Sequence, residues 1–370
     1  MLLAAMEVKA AFGEVVPCMA MVMLEACTIF LTIMASTAMA KFGTNPLVFV
    51  VYTNALASII LVPYSIIYHR RDKVQEKLFT FPLLLRLFFL GLIGVTISQN
   101  LAFVGLSYSS PIAACGTANI VPALSFILAI ILRRTKIDWK SGGSQARMVG
   151  ALICTVGTIS LLFYRGPVVK NYSPTFLHLS TTQFVFSSKD QQNWVLGCLF
   201  FIAASLSLSI WNIIQVGTIK IYPQVMKIMC VYSLFGTVQS GALSLFIVRD
   251  PNAWRLDLNF QLIVIVLTAI FGSIIRSSVQ LWCMRMKGPS FPLIFKPVGI
   301  VVASSCGCLF FADTFHYGSM FSAFICGMGY YTTIWGQFKD EETQQIKGSS
   351  VSLPDEKVPL LRPSQDDLPV

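Results

Sequence analysis

Four ionisable side chains lie inside apolar stretches of this 370-residue chain: Glu25, Arg86, Arg276 and Lys296. A charge at the centre of a bilayer costs about 2.5–3.5 kcal/mol on insertion scales, so embedded charges are candidates for binding, pairing or proton relay. Arg86 is close to a span end, from which its side chain can reach the headgroups. The other three lie deeper. Ser273, Arg276, Ser277 and Gln280 follow an i, i+3, i+4, i+7 pattern that places them on one polar stripe of an apolar helix. Glu25, Thr28, Thr32 and Ser36 make a similar stripe, and others are Thr96, Gln99 and Asn100; Ser205, Ser209 and Asn212; and Ser233, Thr237 and Ser240. If these stripes converge they line a water-accessible cavity in which Glu25 supplies an acceptor and Arg276 and Lys296 supply donors, a set suited to a zwitterion or a carboxylate. The competing reading is an internal ion pair that ties helices together. Pro122 and Pro297 each remove a backbone donor within an apolar run and leave a carbonyl free, as a hinge or as a ligand contact.

These residues need a scaffold, and the composition says which kind. The chain is 55% hydrophobic and 12% charged, with a mean hydropathy of +0.71, more apolar surface than one soluble core can hide. Apolar runs of about 20 residues predict ten spans: 16–40, 46–68, 82–106, 111–132, 146–164, 194–216, 222–248, 260–284, 290–311 and 317–336. The expected fold is therefore all-α and membrane-integral, with ten transmembrane helices in two inverted five-helix repeats. Residues 1–15 form a cytoplasmic N-terminus, 16–164 the first repeat, 165–193 a non-cytoplasmic connecting loop, 194–337 the second repeat and 338–370 a disordered cytoplasmic tail. An odd number of spans per half forces opposite topologies, and inverted repeats are the usual build of secondary carriers. On the last span Ser319, Ala323 and Gly327 form a small-residue face suited to close packing.

Lys and Arg in the loops set the orientation. With both termini in the cytoplasm, eighteen fall inside and six outside, and three are embedded. The same dispersion of basic residues over separate loops speaks against nucleic-acid binding as the use of a net charge of +10. His69, His178 and His316 lie outside the spans, so no nucleophile–base pair or metal set is visible and no enzymatic role, cofactor or metal is expected. The ten cysteines lie in apolar runs, which is not a disulfide framework. The first run lacks a small-residue cleavage pattern and is expected to be retained.

Several stretches carry a family resemblance: Tyr52-Thr-Asn-Ala55 with Pro63, Gln99-Asn100, Asn119-Ile-Val-Pro122, Trp211-Asn-Ile-Ile-Gln215, Tyr222-Pro223, Trp282-Cys283, Gly288-Pro289, Pro297 and Trp335-Gly336. Over residues 16–339 the chain resembles the plant UMAMIT family of the drug/metabolite transporter superfamily, with paired EamA-type domains. The resemblance implies ten helices, cytoplasmic termini, a plasma or vacuolar membrane location, and bidirectional movement of amino acids by alternating access. It adds Asn119, Trp211 and Gln215 to the expected substrate-binding set of Glu25, Thr28, Thr32, Gln99, Asn100, Asn212, Ser273, Arg276, Ser277, Gln280 and Lys296. The chain departs from the family pattern at Glu25, where Gln is usual, at Thr135 and Asp313, where Glu is usual, and at Lys296. Alternatives are a carrier of auxin or another carboxylate, a pore-like facilitator, or a membrane scaffold without transport.

The partners expected are a small organic solute, the bilayer and, at the tail, a sorting adaptor: Glu356 followed by Leu360-Leu361 resembles an acidic dileucine signal. Asn171-Tyr-Ser173 is a glycosylation sequon in the loop expected outside. Protease resistance of 165–193 from the cytosolic side of sealed vesicles, and relocation of the protein by Leu360→Ala with Leu361→Ala, are the expected outcomes; cytosolic cleavage or an unchanged distribution contradicts the respective reading.

Overall fold

The computed structural model describes residues 2–69, 81–132, 141–163, 191–222, 225–255, 259–287, 291–310 and 317–351. Among these residues the chain forms ten helical rods. They are α1 (Leu2–Phe42), α2 (Pro46–His69), α3 (Phe81–Tyr108), α4 (Pro111–Ile131), α5 (Gly142–Phe163), α6 (Gln191–Ile221), α7 (Val225–Ile247), α8 (260–287), α9 (291–310) and α10 (Tyr317–Val351). The rods α1, α2, α3, α4, α6 and α7 are each long and apolar enough to cross a bilayer by length and composition alone. Apolar side chains face outward along them, among them Met19, Met23, Phe30, Ile59, Phe88 and Leu199. This is the surface expected where lipid rather than water is the solvent.

The two sets of five rods correspond to each other irregularity by irregularity. A π-helical segment, Gly91–Ile97, interrupts α3, and another, Phe271–Ile275, interrupts its counterpart α8. A turn at Asn119–Ile120 breaks α4 next to Pro122, and a turn over 295–297 breaks α9 at Pro297. The packing follows the same exchange: α1 lies against α8 and α9 as α6 lies against α3 and α4, and α2 meets α8 as α7 meets α3.

Corresponding rods that pack on each other run antiparallel. Between α2 and α7, Ser244 donates to the Leu47 carbonyl, Thr237 to the Asn54 carbonyl, and the Ser58 and Ser233 hydroxyls are hydrogen-bonded, so numbers rise on one rod as they fall on the other. Between α5 and α10, Gly143 faces Gly336, Gly150 faces Gly329 and Ser160 bonds Ser322. Equivalent helices become antiparallel only when the axis relating the halves lies in the membrane plane, which makes the repeats inverted.

The α5–α10 seam is a close backbone approach built on glycines. Gly143, Gly150 and Gly157 recur every seven residues; Gly143 meets Gly336, Gly150 meets Gly329, and Gly157 meets Cys326 and Ile325. A strict seven-residue repeat keeps one stripe facing a partner along the whole rod. Inside the seam the Cys154 thiol donates to the Cys326 carbonyl at 3.5 Å and the Cys326 thiol to the Cys154 carbonyl at 3.7 Å. The face marked by Ala323 and Gly327 packs elsewhere, on Gly116 of α4 and on Pro297 and Ile300 of α9. The sequence therefore places one small-residue face on this rod where the structure has two. The rod also continues to Val351, past residue 338 where a disordered tail is expected. Its extension is rich in residues that tolerate helix, and it docks through Asp340, which accepts from Ser141 at 2.8 Å and pairs with Arg147 at 3.5 Å.

A Cβ on Gly329 would sit 2.6 Å from the Cys154 backbone nitrogen and 2.8 Å from the Gly150 carbonyl, whereas one on Gly241 would meet nothing within 4 Å. Gly329→Ala is expected to lower stability by about 1–3 kcal/mol and Gly241→Ala to be neutral or stabilising. Thermal unfolding of the two variants in detergent measures this, and equal behaviour contradicts the seam.

Candidate functional site

The site grows from the break in α9. Pro297 has no N–H to give the carbonyl four residues back, so the helix stops at Ile294 and resumes at Val298. Lys296 projects from the turn between them. Its Nζ lies 2.7 Å from Oε1 of Glu25 on α1, a residue 271 positions away in sequence. Glu25 follows the start of the apolar part of α1, Val15, by ten residues, about 15 Å at 1.5 Å per residue, so the pair is held well inside the hydrocarbon layer. Glu25 is almost completely buried, with 6% of its side chain exposed against 27% for Lys296.

Three other rods complete the surroundings. Arg276, half-buried at the point where α8 resumes after its π segment, is near enough for its charge to act on Lys296. Cys115 of α4 lies in the field of both Glu25 and Lys296. Tyr330 of α10 lies in the field of Glu25 and donates its hydroxyl to the Leu293 carbonyl at 2.9 Å. An acidic and a basic side chain, from α1 and α9, thus pair inside the bundle, with the charge of Arg276 on α8 in electrostatic range of Lys296.

The other residues singled out from the sequence sort into different places. Thr28 and Thr32 donate to the carbonyls of Leu24 and Thr28 on their own helix. Gln99 accepts from Asn54 at 2.7 Å, and Asn100 donates to the Thr96 carbonyl and to Ser240. With Thr96–Gln239 and Ser58–Thr237 these bonds form a neutral polar seam joining α2, α3 and α7, so the stripes of α3 and α7 meet each other. Asn100 Oδ1 is buried in that seam without a partner among the described residues. Asn119 donates to the Cys115 carbonyl at the break in α4. The same break takes Ser205 on the Thr117 carbonyl, Ser209 on the Val121 carbonyl and Cys154 on the Asn119 carbonyl.

Trp211 packs against Gly94 and edge-on to Tyr232, at 5.9 Å between ring centroids. Asn212, Gln215 and Gln280 are half-buried. Arg86 is exposed near the start of α3. The side chains of Ser273 and Ser277, and all of Asn171, Glu356, Leu360 and Leu361, lie outside the described residues, as do Thr135 and Asp313. Ser273 is within the π segment, where the 3.6-residue period that defined its stripe does not apply.

Tyr330, Cys115, Asn54, Ser58 and Gln239 are the site and seam residues that the stripe pattern did not single out. Nothing in their spacing distinguishes them, because each is defined by a partner on another rod.

An inverted-repeat helical bundle with paired charges at a broken helix has the architecture of a membrane transporter. Residues 17–163 match the EamA-like transporter family. WAT1-related protein At1g70260 of Arabidopsis thaliana is 44% identical over 99% of this chain and 100% of its own length. WAT1-related protein At1g60050 is 45% identical over 90% of each, and WAT1-related protein At3g28050 is 32% identical over 88% of this chain and 87% of its own. A crystal structure 14% identical superimposes with a TM-score of 0.51, covering 85% of this chain and 96% of that one, which shows a shared fold. The chain belongs to the WAT1-related, or UMAMIT, family of membrane transporters in the drug/metabolite superfamily.

The unequal exposure of the ion pair gives a directional expectation. Lys296→Met strands a buried carboxylate and should cost about 3–5 kcal/mol, whereas Glu25→Gln leaves a longer side chain that can reach polar surroundings and should cost about 1–2 kcal/mol. Removing both charges should cost less than Lys296→Met alone. Thermal unfolding in detergent reads all three; additive losses contradict a direct pair.

Proposed function

We propose that the protein is a secondary carrier that moves amino acids bidirectionally by alternating access, through ten membrane spans with both termini in the cytoplasm of a plasma or vacuolar membrane. The observation that carries this is the Glu25–Lys296 pair at the α9 break, flanked by Arg276, inside an inverted-repeat transporter fold. A zwitterion matches it group for group: its carboxylate accepts from Lys296 and Arg276 while its ammonium donates to Glu25. The internal salt bridge then serves as the empty state, keeping both charges compensated until a solute of the same charge pattern replaces it, which limits the cost of an unpaired charge in the membrane.

Exchange of the two halves' conformations would open this level to either side in turn. The corresponding breaks in α4 and α9 and the corresponding π segments in α3 and α8 are where such helices can bend, since backbone bonds there are already displaced from the α pattern. The neutral seam with Gln99 and Asn100, and the half-buried Asn212, Gln215 and Gln280, supply further polar contacts along the path.

A radiolabelled amino-acid efflux screen tests the substrate class; a protein at wild-type abundance that is silent for every amino acid contradicts it. Within that screen Arg276→Gln should raise the half-saturation concentration of carboxylate-bearing solutes by about ten- to a hundredfold, the loss of one charge-assisted hydrogen bond of about 1.5–3 kcal/mol. Unchanged affinity in a folded variant assigns Arg276 to structure.

A further inference from the structure

A break in a membrane helix leaves backbone carbonyls that bulk water cannot reach, and each needs a donor from elsewhere. The two halves solve this differently. At the α4 break the Thr117 and Val121 carbonyls take hydroxyls of α6, from Ser205 and Ser209, and the Asn119 carbonyl shares the Cys154 thiol of α5 with the Cys326 carbonyl. At the α9 break the carbonyl that Pro297 cannot serve, Leu293 O, receives the Lys296 N–H at 3.3 Å, a long bond, and the Tyr330 hydroxyl at 2.9 Å. Tyr330 is 3% exposed, and its ring stands edge-on to Tyr331. The turn is then completed by three i→i+3 bonds, Val298 to Phe295, Gly299 to Lys296 and Ile300 to Pro297. One carbonyl therefore joins the Lys296 backbone to a side chain of α10, a rod whose other faces are locked against α5 and α4.

We propose that Tyr330 is the positioning residue for Lys296. Its hydroxyl takes the place of the absent Pro297 N–H, fixes the turn, and so sets the Lys296 ammonium against Glu25. The consequence for solute affinity rests on the carrier reading above; the consequence for Lys296 does not. Tyr330→Phe keeps the ring and removes the donor. The turn then loosens, and the ammonium spends more time away from Glu25.

The test has a transport-independent arm. Purified wild type and Tyr330→Phe are exposed in detergent to acetic anhydride, and acetylation of Lys296 is followed by peptide mass spectrometry, with the exposed Lys339 as internal control. Lys296 is expected to acetylate roughly fivefold faster in Tyr330→Phe, with Lys339 unchanged. Adding Pro297→Ala, which returns a main-chain N–H to Leu293, should bring the rate back toward that of wild type. An unchanged Lys296 rate in folded Tyr330→Phe overturns the proposal, as does a raised rate that Pro297→Ala leaves raised. Should Tyr330→Phe not be recovered folded, recovery of the Tyr330→Phe, Pro297→Ala protein supports the proposal and its failure overturns it.

The second arm measures amino-acid counterflow in liposomes. Tyr330→Phe should raise the half-saturation concentration several-fold in the wild-type background and add nothing in Lys296→Met. Equal effects in both backgrounds overturn the link to Lys296. Absence of any wild-type flux contradicts the carrier reading and leaves the acetylation result to decide the role of Tyr330.

Discussion

Every backbone N–H and carbonyl inside a bilayer must find its partner within the protein, and the rest of this structure depends on how that constraint is met at its irregular helices. Unbroken helices meet it internally. The α4 and α9 breaks and the α3 and α8 π segments do not, and the neighbours of these rods are chosen accordingly. Ser205, Ser209 and Cys154 serve the α4 break, Tyr330 serves α9, and Ser207 donates to the Ile93 carbonyl in the π segment of α3. Many of the remaining hydroxyls, such as those of Thr28, Thr32 and Thr158, donate to the carbonyl four residues back on their own helix. That is why so few of the hydroxyls stand beside the charged pair.

The same constraint applies to both copies of each irregularity. A break is tolerable only where donors from another rod are in place, and here the break recurs in both halves while each copy has its own donors, Ser205, Ser209 and Cys154 at α4 and Tyr330 at α9. The inverted relation then brings the two copies to opposite sides of one in-plane axis, with α2–α7 and α5–α10 as its antiparallel contacts. The glycine seam of α5 and α10 holds α10 firmly, with backbone against backbone at Gly150 and Gly329. A rod fixed in that way is a suitable anchor for the carbonyl that precedes Lys296.

The class of fold was legible because its signal is compositional: long apolar runs, few charges and a basic bias on one side need no knowledge of contacts. The embedded charges were legible for the same reason, since Glu25, Arg276 and Lys296 stand out against apolar neighbours. What the residues could not reveal was the choice of partner. Nothing in spacing pairs Glu25 with Lys296 across 271 residues, or points to Tyr330, which acts through a carbonyl. The stripe arithmetic also assumed a constant helical period. It fails at Ser273 because a π segment, invisible in Phe-Gly-Ser-Ile-Ile, falls there. On α10 two small-residue faces exist: the four-residue spacing of Ser319, Ala323 and Gly327 marks one, and the seven-residue spacing of Ser322, Gly329 and Gly336 marks the other, which only the contact with α5 reveals.

The central claim is that an internal ion pair is exchanged for a solute of the same charge pattern, and it is tested most directly by solute selectivity in counterflow. Liposomes holding the purified protein and preloaded with an unlabelled zwitterionic amino acid should accumulate the labelled form saturably. Amino acids esterified at the carboxylate or acylated at the amine should neither drive that exchange nor compete with it. Equal exchange of the zwitterion and both of its singly blocked forms, or a flux that rises linearly with concentration and ignores the preloaded solute, would contradict the account.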